Sequence, residues 1–325
     1  MHSPETAAAF ELILPYFPLA VQNLIIDDTV SDLMINPSGA VFTERRGKLQ
    51  LEPIIHIPRA QVQAAAENIL ALVGGYITQE HPIQDGRLPD GSRVAVVGPP
   101  CSADGFTVTI RKFNHWFTLQ ELINQGSIPG EFAHLLLDKM KAKKNVLISG
   151  GTSSGKSTLL NALVNHVPVE ERIIVIEKPT ELEINRENVV RWEAVDGMEG
   201  RAEVTVGQLL AAALRHRPDR IIVGEVRDAS AYDLLQALNT GHSGTCSTVH
   251  ADSALSALER ISGLSLAARP NLNHGFVRSE TARAFNVAVH VGRDKTGKRR
   301  VEEILNVIGY SQKDNEFLTE IYFKA

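Results

Sequence analysis

The segment Gly150-Gly151-Thr152-Ser153-Ser154-Gly155-Lys156-Ser157 constrains this chain more than any other. It matches G-x-x-x-x-G-K-[ST] in full, and composition alone yields such a match in about one chain in a hundred of this length. An apolar run at 146–148 leads into it, and a helical run at 159–164 leads out. Strand, glycine loop and helix in that order make a phosphate cradle. Glycine lets successive backbone N–H groups turn inward without a Cβ clash, and the helix N-terminus adds its dipole. The motif assigns Gly151, Thr152, Ser153, Ser154, Gly155, Lys156, Ser157 and Thr158 to nucleotide binding. Lys156 belongs on the β- and γ-phosphates of ATP, and the Ser157 hydroxyl on Mg²⁺.

Two further apolar strands end in carboxylates. Ile221-Ile222-Val223-Gly224-Glu225 has the form of a Walker B element. A buried strand puts Glu225 at the carboxyl edge of the sheet, beside the phosphate loop. There it holds Mg²⁺ through water or orients the attacking water. Ile173-Ile174-Val175-Ile176-Glu177 repeats the pattern, and two carboxylates at one edge suit metal work by one and water activation by the other. Residues 241–250, Gly-His-Ser-Gly-Thr-Cys-Ser-Thr-Val-His, are dense in small polar groups. They end a third strand on His250, suited to sense the γ-phosphate or to link neighbouring sites. The cysteines and histidines show no metal-ligand spacing.

Around these motifs the pattern alternates strand and helix, with strands over 145–149, 172–176, 220–224 and 245–250 and helices over 156–166, 204–217 and 229–240. That alternation predicts an α/β domain over 119–325 with a parallel sheet and helical crossovers. Residues 1–113 read differently, as a smaller α+β domain. A helix from Pro4 to about Leu14 is followed by strands at 41–43 and 48–51 around the turn 44–47. A helix over 58–73 begins at Pro58 and is stopped by Gly74-Gly75, and strands at 92–97 and 106–112 close the domain. Residues 114–118 serve as a linker.

Composition narrows the function classes. The net charge of −5 over 325 residues argues against direct nucleic-acid binding. The basic clusters at 141–144 and 298–300 read as a solvated helix face and a hairpin turn. Two cysteines, Cys101 in a loop and Cys246 in a buried strand, fit a reducing cytoplasm. No apolar run reaches the length of a membrane span, so membrane contact is expected to be peripheral.

Four segments, residues 150–158, 176–182, 214–227 and 241–250, together resemble the secretion-ATPase superfamily of type II and type IV secretion, pilus assembly and conjugation. The run Arg-Pro-Asp-Arg-Ile-Ile-Val-Gly-Glu-Val-Arg at 217–227 is highly specific, and the wording of the glycine loop favours the type IV and conjugative, TrbB-type branch. The resemblance implies a PAS-like N-terminal domain, a RecA-like P-loop ATPase domain and a homohexameric ring. It also implies work with inner-membrane secretion or conjugation channel proteins, on the cytoplasmic side. It puts Glu177 in the Asp box, Glu225 in Walker B and His250 in the His box. It also brings N-terminal arginines toward the nucleotide phosphates, Arg111 first, then Arg87 and Arg93. A nucleic-acid-dependent RecA-like motor and a nucleotide switch with little hydrolysis are the alternatives. The family follows its Asp-box glutamate with aspartate, where this chain has Lys178. Alternation along an extended strand predicts that the Lys178 ammonium faces away from Glu177, with Pro179 ending the strand.

Overall fold

The computed structural model describes residues 14–45, 48–88, 91–112, 116–197 and 202–325. The helix expected over 4–14, the Arg46-Gly47 tip of the first turn and Asn114 and His115 of the linker lie outside them, save that Leu14–Tyr16 is a 3-10 turn. The chain divides into two compact units, Met1–His115 and Trp116–Ala325.

The first unit is one antiparallel sheet carrying two helices. In chain order its elements are α1 (Leu19–Ile26), β1 (Val30–Ile35), β2 (Ala40–Arg45), β3 (Lys48–His56), α2 (Arg59–Leu72), β4 (Ile83–Arg87), β5 (Arg93–Val97) and β6 (Thr107–Arg111). The strands lie in the order β3-β2-β1-β6-β5-β4. Alternation along β5 and β6 turns Val94, Val96, Val108 and Ile110 into the core, where Ile25, Ile69 and Leu70 of the helices meet them. Helix α2 starts at Arg59, one residue later than expected, with Pro58 as its N-cap, and Gly74 follows at a positive φ. Sequence reading missed α1, β1 and β4. In β4 the run Ile-Gln-Asp-Gly-Arg has turn composition, yet it pairs residue for residue with β5.

The second unit is an eight-stranded sheet in the order β14-β13-β12-β7-β11-β10-β8-β9. Its elements are α3 (Leu119–Asn124), α4 (Gly130–Lys141), β7 (Val146–Ser149), α5 (Lys156–Val164), β8 (Ile173–Glu177), β9 (Val189–Glu193), α6 (Val206–Ala213), β10 (Arg220–Val226), α7 (Ser230–Asn239), β11 (Cys246–Val249), α8 (Ala254–Ala268), α9 (His274–Ala284), β12 (Val287–Arg293), β13 (Arg299–Ser311) and β14 (Glu316–Lys324). The six strands from β12 to β9 are mutually parallel. The two strands β13 and β14 add to the edge antiparallel. The wholly parallel sheet expected from the alternation is therefore extended by a hairpin at its C-terminal side.

Both faces of this sheet are covered. Leu147, Ile174, Ile221 and Val223 point to one face, against α6 to α9, while Val146, Ile148, Val175 and Ile222 point to the other, against α3 to α5. Burial on both sides explains why these strands read as continuous apolar runs. Trp116 and Phe117, in the stretch read as a linker, pack against the second core, and Thr118 caps α3 through a capping box with Glu121. Cys246 is wholly buried, and burial pushes its thiol up to about 12. Packing is its role. Among the described residues no helix is long and apolar enough to cross a membrane.

Candidate functional site

The sheet order decides which motifs meet. The glycine loop and His250 follow directly on β7 and β11, and Glu225 and Glu177 stand at the carboxyl ends of β10 and β8. These four strands are parallel neighbours, so their ends line one carboxyl edge, the usual ligand position in open α/β sheets.

The glycine loop begins at Gly150, where a Cβ would run into the Val291 carbonyl and the Ser154 hydroxyl. Gly155 holds φ +102 as the N-cap of α5, a conformation that favours glycine. Lys156 opens α5, with Ser157 and Thr158 following in its first turn. The Lys156 ammonium is buried and donates to the loop's own carbonyls, Gly150 at 3.0 Å and Gly151 at 2.8 Å. Burial lowers its pKa, and the Glu225 charge offsets only part of that. The Ser154 N–H points to the same Gly151 oxygen at 3.4 Å, and the Ser154 hydroxyl is buried with no hydrogen-bond partner. Donors thus converge on a small space where their acceptor is a loop carbonyl, a cradle suited to an anion.

His250 bridges this cradle to the acid. Its Nδ1 lies 3.5 Å from the Lys156 Nζ, and its Nε2 lies 3.3 Å from Glu225 Oε1. Burial and then the Lys156 charge lower the His250 pKa. A neutral ring that accepts from lysine at Nδ1 and donates to Glu225 from Nε2–H satisfies both contacts. Glu225 is also held by Arg227 in a two-point pair, Nε to Oε1 at 2.6 Å and Nη2 to Oε2 at 3.0 Å. Burial pushes the Glu225 carboxyl up, but the Arg227 hydrogen bonds and the charges of Arg227 and Lys156 outweigh it and hold the group below the ordinary range. Sequence reading quoted Arg227 without giving it a role. Its signal was the two-residue spacing from Glu225, which on a strand puts both on one side.

Glu177 is 4% exposed, and its carboxylate accepts from the Leu182 N–H at 3.2 Å. It lies flat over Gly224, where a Cβ would come within 2.7 Å of Glu177 Cγ. The glycine before Glu225 is what lets the two acids sit on adjacent strands. Strand β8 ends at Glu177, and Lys178 turns to pair with Asp196. The strand thus stops one residue short of Lys178, so strand alternation does not set its direction, and the half-exposed ammonium lies against Asp196 instead.

Other motif residues are scaffolding. Arg220 is fully buried, pairs with Glu171 and donates to the Gly244 carbonyl at 3.1 Å. Gly244 is glycine because that guanidinium passes beside it. The hydroxyls of Ser247 and Thr248 donate to the Val223 and Gly224 carbonyls where the β10–β11 ladder shifts register. These bonds account for much of the small polar residues before His250.

The N-terminal arginines lie in the first unit, in one cross-strand row. Arg87 faces Arg93, Arg93 faces Arg111, and Arg111 faces Asp32. Paired positions share a face, here the one opposite the apolar core. Arg111 donates from Nε to Asp32 Oδ1 at 2.8 Å.

Among the described residues no cluster of three histidine, cysteine or acidic side chains forms a metal cage. Mg²⁺ seldom uses one, taking a hydroxyl, one or two carboxylates, waters and substrate phosphates instead. Ser157 and Glu225 fit that donor set.

The arrangement is that of a RecA-like P-loop α/β protein, with a lysine, a histidine and a carboxylate joined at the sheet edge. A model of the family described as "Type II/IV secretion system protein" matches residues 19–285, and the chain belongs to that family. Conjugal transfer protein TrbB of Rhizobium radiobacter is 33% identical over 305 residues, 91% of this chain and 88% of that one. Type IV secretion system protein VirB11 of Bartonella quintana is 34% identical over 270 residues, 72% of this chain and 76% of that one. The solved structure of the pilus retraction motor PilT with bound ADP shares the fold, at TM-score 0.61 and 19% identity, covering 91% of this chain and 84% of that one.

Proposed function

We propose that this chain binds ATP with Mg²⁺ on the loop 150–157 and hydrolyses it, working as a ring-shaped motor of a type IV secretion or conjugative-transfer machine. The observation that carries the reading is the Lys156–His250–Glu225 chain of contacts, joining the phosphate cradle to a carboxylate held ionised. Lys156 leaves the Gly150 and Gly151 carbonyls for the β- and γ-phosphates. Ser157 and Glu225 hold Mg²⁺, which when bound neutralises phosphate charge. His250, released by the lysine, reports the γ-phosphate to Glu225. Glu177 shapes the floor and orients water, and the row Arg87, Arg93 and Arg111 offers guanidinium groups for phosphate charge. The names of TrbB and VirB11, conjugal transfer and type IV secretion, support that setting; the partners proposed for it are inner-membrane channel proteins, met from the cytoplasmic side.

Lys178 does not call for a switch that binds without turnover, because its charge is met by Asp196. Lys178→Asp should raise turnover less than tenfold, under about 1.4 kcal/mol in the barrier, measured by steady-state phosphate release. A hundredfold gain would mean that Lys178 quenches the site.

The ring itself is tested by light scattering with an ATP analogue bound. A closed assembly of six is expected, since heterologous contacts that close by rotation form rings. A strictly monomeric particle at high protein concentration would contradict the motor reading.

A further inference from the structure

The hairpin joining β12 to β13 brings two arginines to the back of the glycine loop. Arg293 and Arg299 are direct partners across the hairpin. The turn between them is built by Asp294, whose Oδ1 accepts from the Thr296 and Lys298 N–H groups, and whose other oxygen meets Arg300 at 3.0 Å. Both arginines aim at one atom. Arg293 donates to the Ser153 carbonyl from Nε at 3.1 Å and from Nη2 at 2.9 Å, and Arg299 donates from Nε at 2.9 Å.

Ser153 is the loop residue least suited to its conformation, a non-glycine at φ +55. A planar trans peptide points its carbonyl and the following N–H in opposite directions. Fixing the Ser153 carbonyl against the hairpin therefore fixes the Ser154 N–H toward the hollow of the loop. There it reaches the Gly151 oxygen at a long 3.4 Å, close to the Lys156 ammonium. Cations gripping a carbonyl also strengthen the N–H of the same peptide as a donor, through charge-assisted bonding and polarisation.

We infer that Arg293 and Arg299 are positioning residues of the phosphate cradle: they lock the Ser153–Ser154 peptide in its anion-binding orientation and back the loop with positive charge, favouring ligands with two or more phosphates. The inference rests on the reading of this loop as a nucleotide site.

The test is calorimetric titration of the full-length protein with ADP and with inorganic pyrophosphate, beside steady-state ATPase kinetics. Single changes Arg293→Gln and Arg299→Gln should each weaken both ligands about fivefold to tenfold, and the double change about fiftyfold, as expected of charge-assisted contacts. KM for ATP should rise in step, with kcat within about threefold of wild type. Lysine at either position should restore most of the affinity, because it keeps the charge and a donor. Thermal unfolding without ligand should stay within a few degrees of wild type. Unchanged affinity in the double variant would overturn the inference while leaving the nucleotide site standing. Weakened binding that follows loss of the thermal transition and is not rescued by lysine would overturn it as well, reducing the arginines to scaffolding. Wild-type protein that binds neither ligand would defeat the nucleotide reading itself, and this inference with it.

Discussion

Lys156→Ala should reduce ATP turnover by a factor of about a thousand or more, equivalent to about 4 kcal/mol of transition-state stabilisation, while the protein stays folded. The ammonium is the one side-chain cation buried at the bottom of the cradle, among the described residues that line it. It donates to two loop carbonyls and meets His250 Nδ1 at 3.5 Å, and burial already lowers its pKa. Its removal therefore costs the fold little, since a desolvated charge leaves with it. Phosphate release and thermal unfolding on the same sample check both halves. Turnover close to wild type would remove this loop from the chemistry. Collapse of the fold would make the lysine a structural group.

Glu225→Gln should keep nucleotide affinity within about tenfold and remove most turnover, because the amide preserves shape but not charge or basicity. Glu225 gathers Arg227, His250 and, through His250, Lys156. The variant leaves Arg227 without its two-point partner and His250 with a weaker acceptor. It should also alter the acid side of the stability profile. A carboxyl whose folded pKa is depressed adds stability above the ordinary carboxylate range and loses it as pH falls through the lower folded value. Glu225→Gln should flatten that part of the curve in urea unfolding at stepped pH. Wild-type turnover in this variant would shift the acid role to Glu177.

Much of this was legible in the chain. The glycine loop, the strands ending in Glu177 and Glu225 and the strand before His250 all announce themselves. Strands β7, β8 and β10, buried on both faces, are largely apolar, and these and β11 each carry a polar residue at or beside the same end. Parallel strand–helix alternation then brings those ends together. What stayed hidden follows from two physical causes. Pairing between distant segments leaves no local trace, so Arg299 read as part of a basic turn although it reaches Ser153 across the fold. Arg220 and Gly244 likewise sit in a motif that looks catalytic, while their job is a buried ion pair and the space beside it. The second cause is local propensity overruled by the sheet. The strand Ile83–Arg87 contains Asp and Gly, and only its partner β5 makes it extended. The three N-terminal arginines were picked by likeness, and their alignment in one row across three strands came from register alone.

Binding and hydrolysis of a nucleoside triphosphate at this sheet edge can be read in one assay. Phosphate release from ATP by the purified wild-type protein is followed with Mg²⁺, with EDTA, and beside Lys156→Ala. Saturable release that needs Mg²⁺ and disappears in the variant is expected. Release that is indifferent to both, or ATP bound stoichiometrically with no phosphate produced, would contradict it.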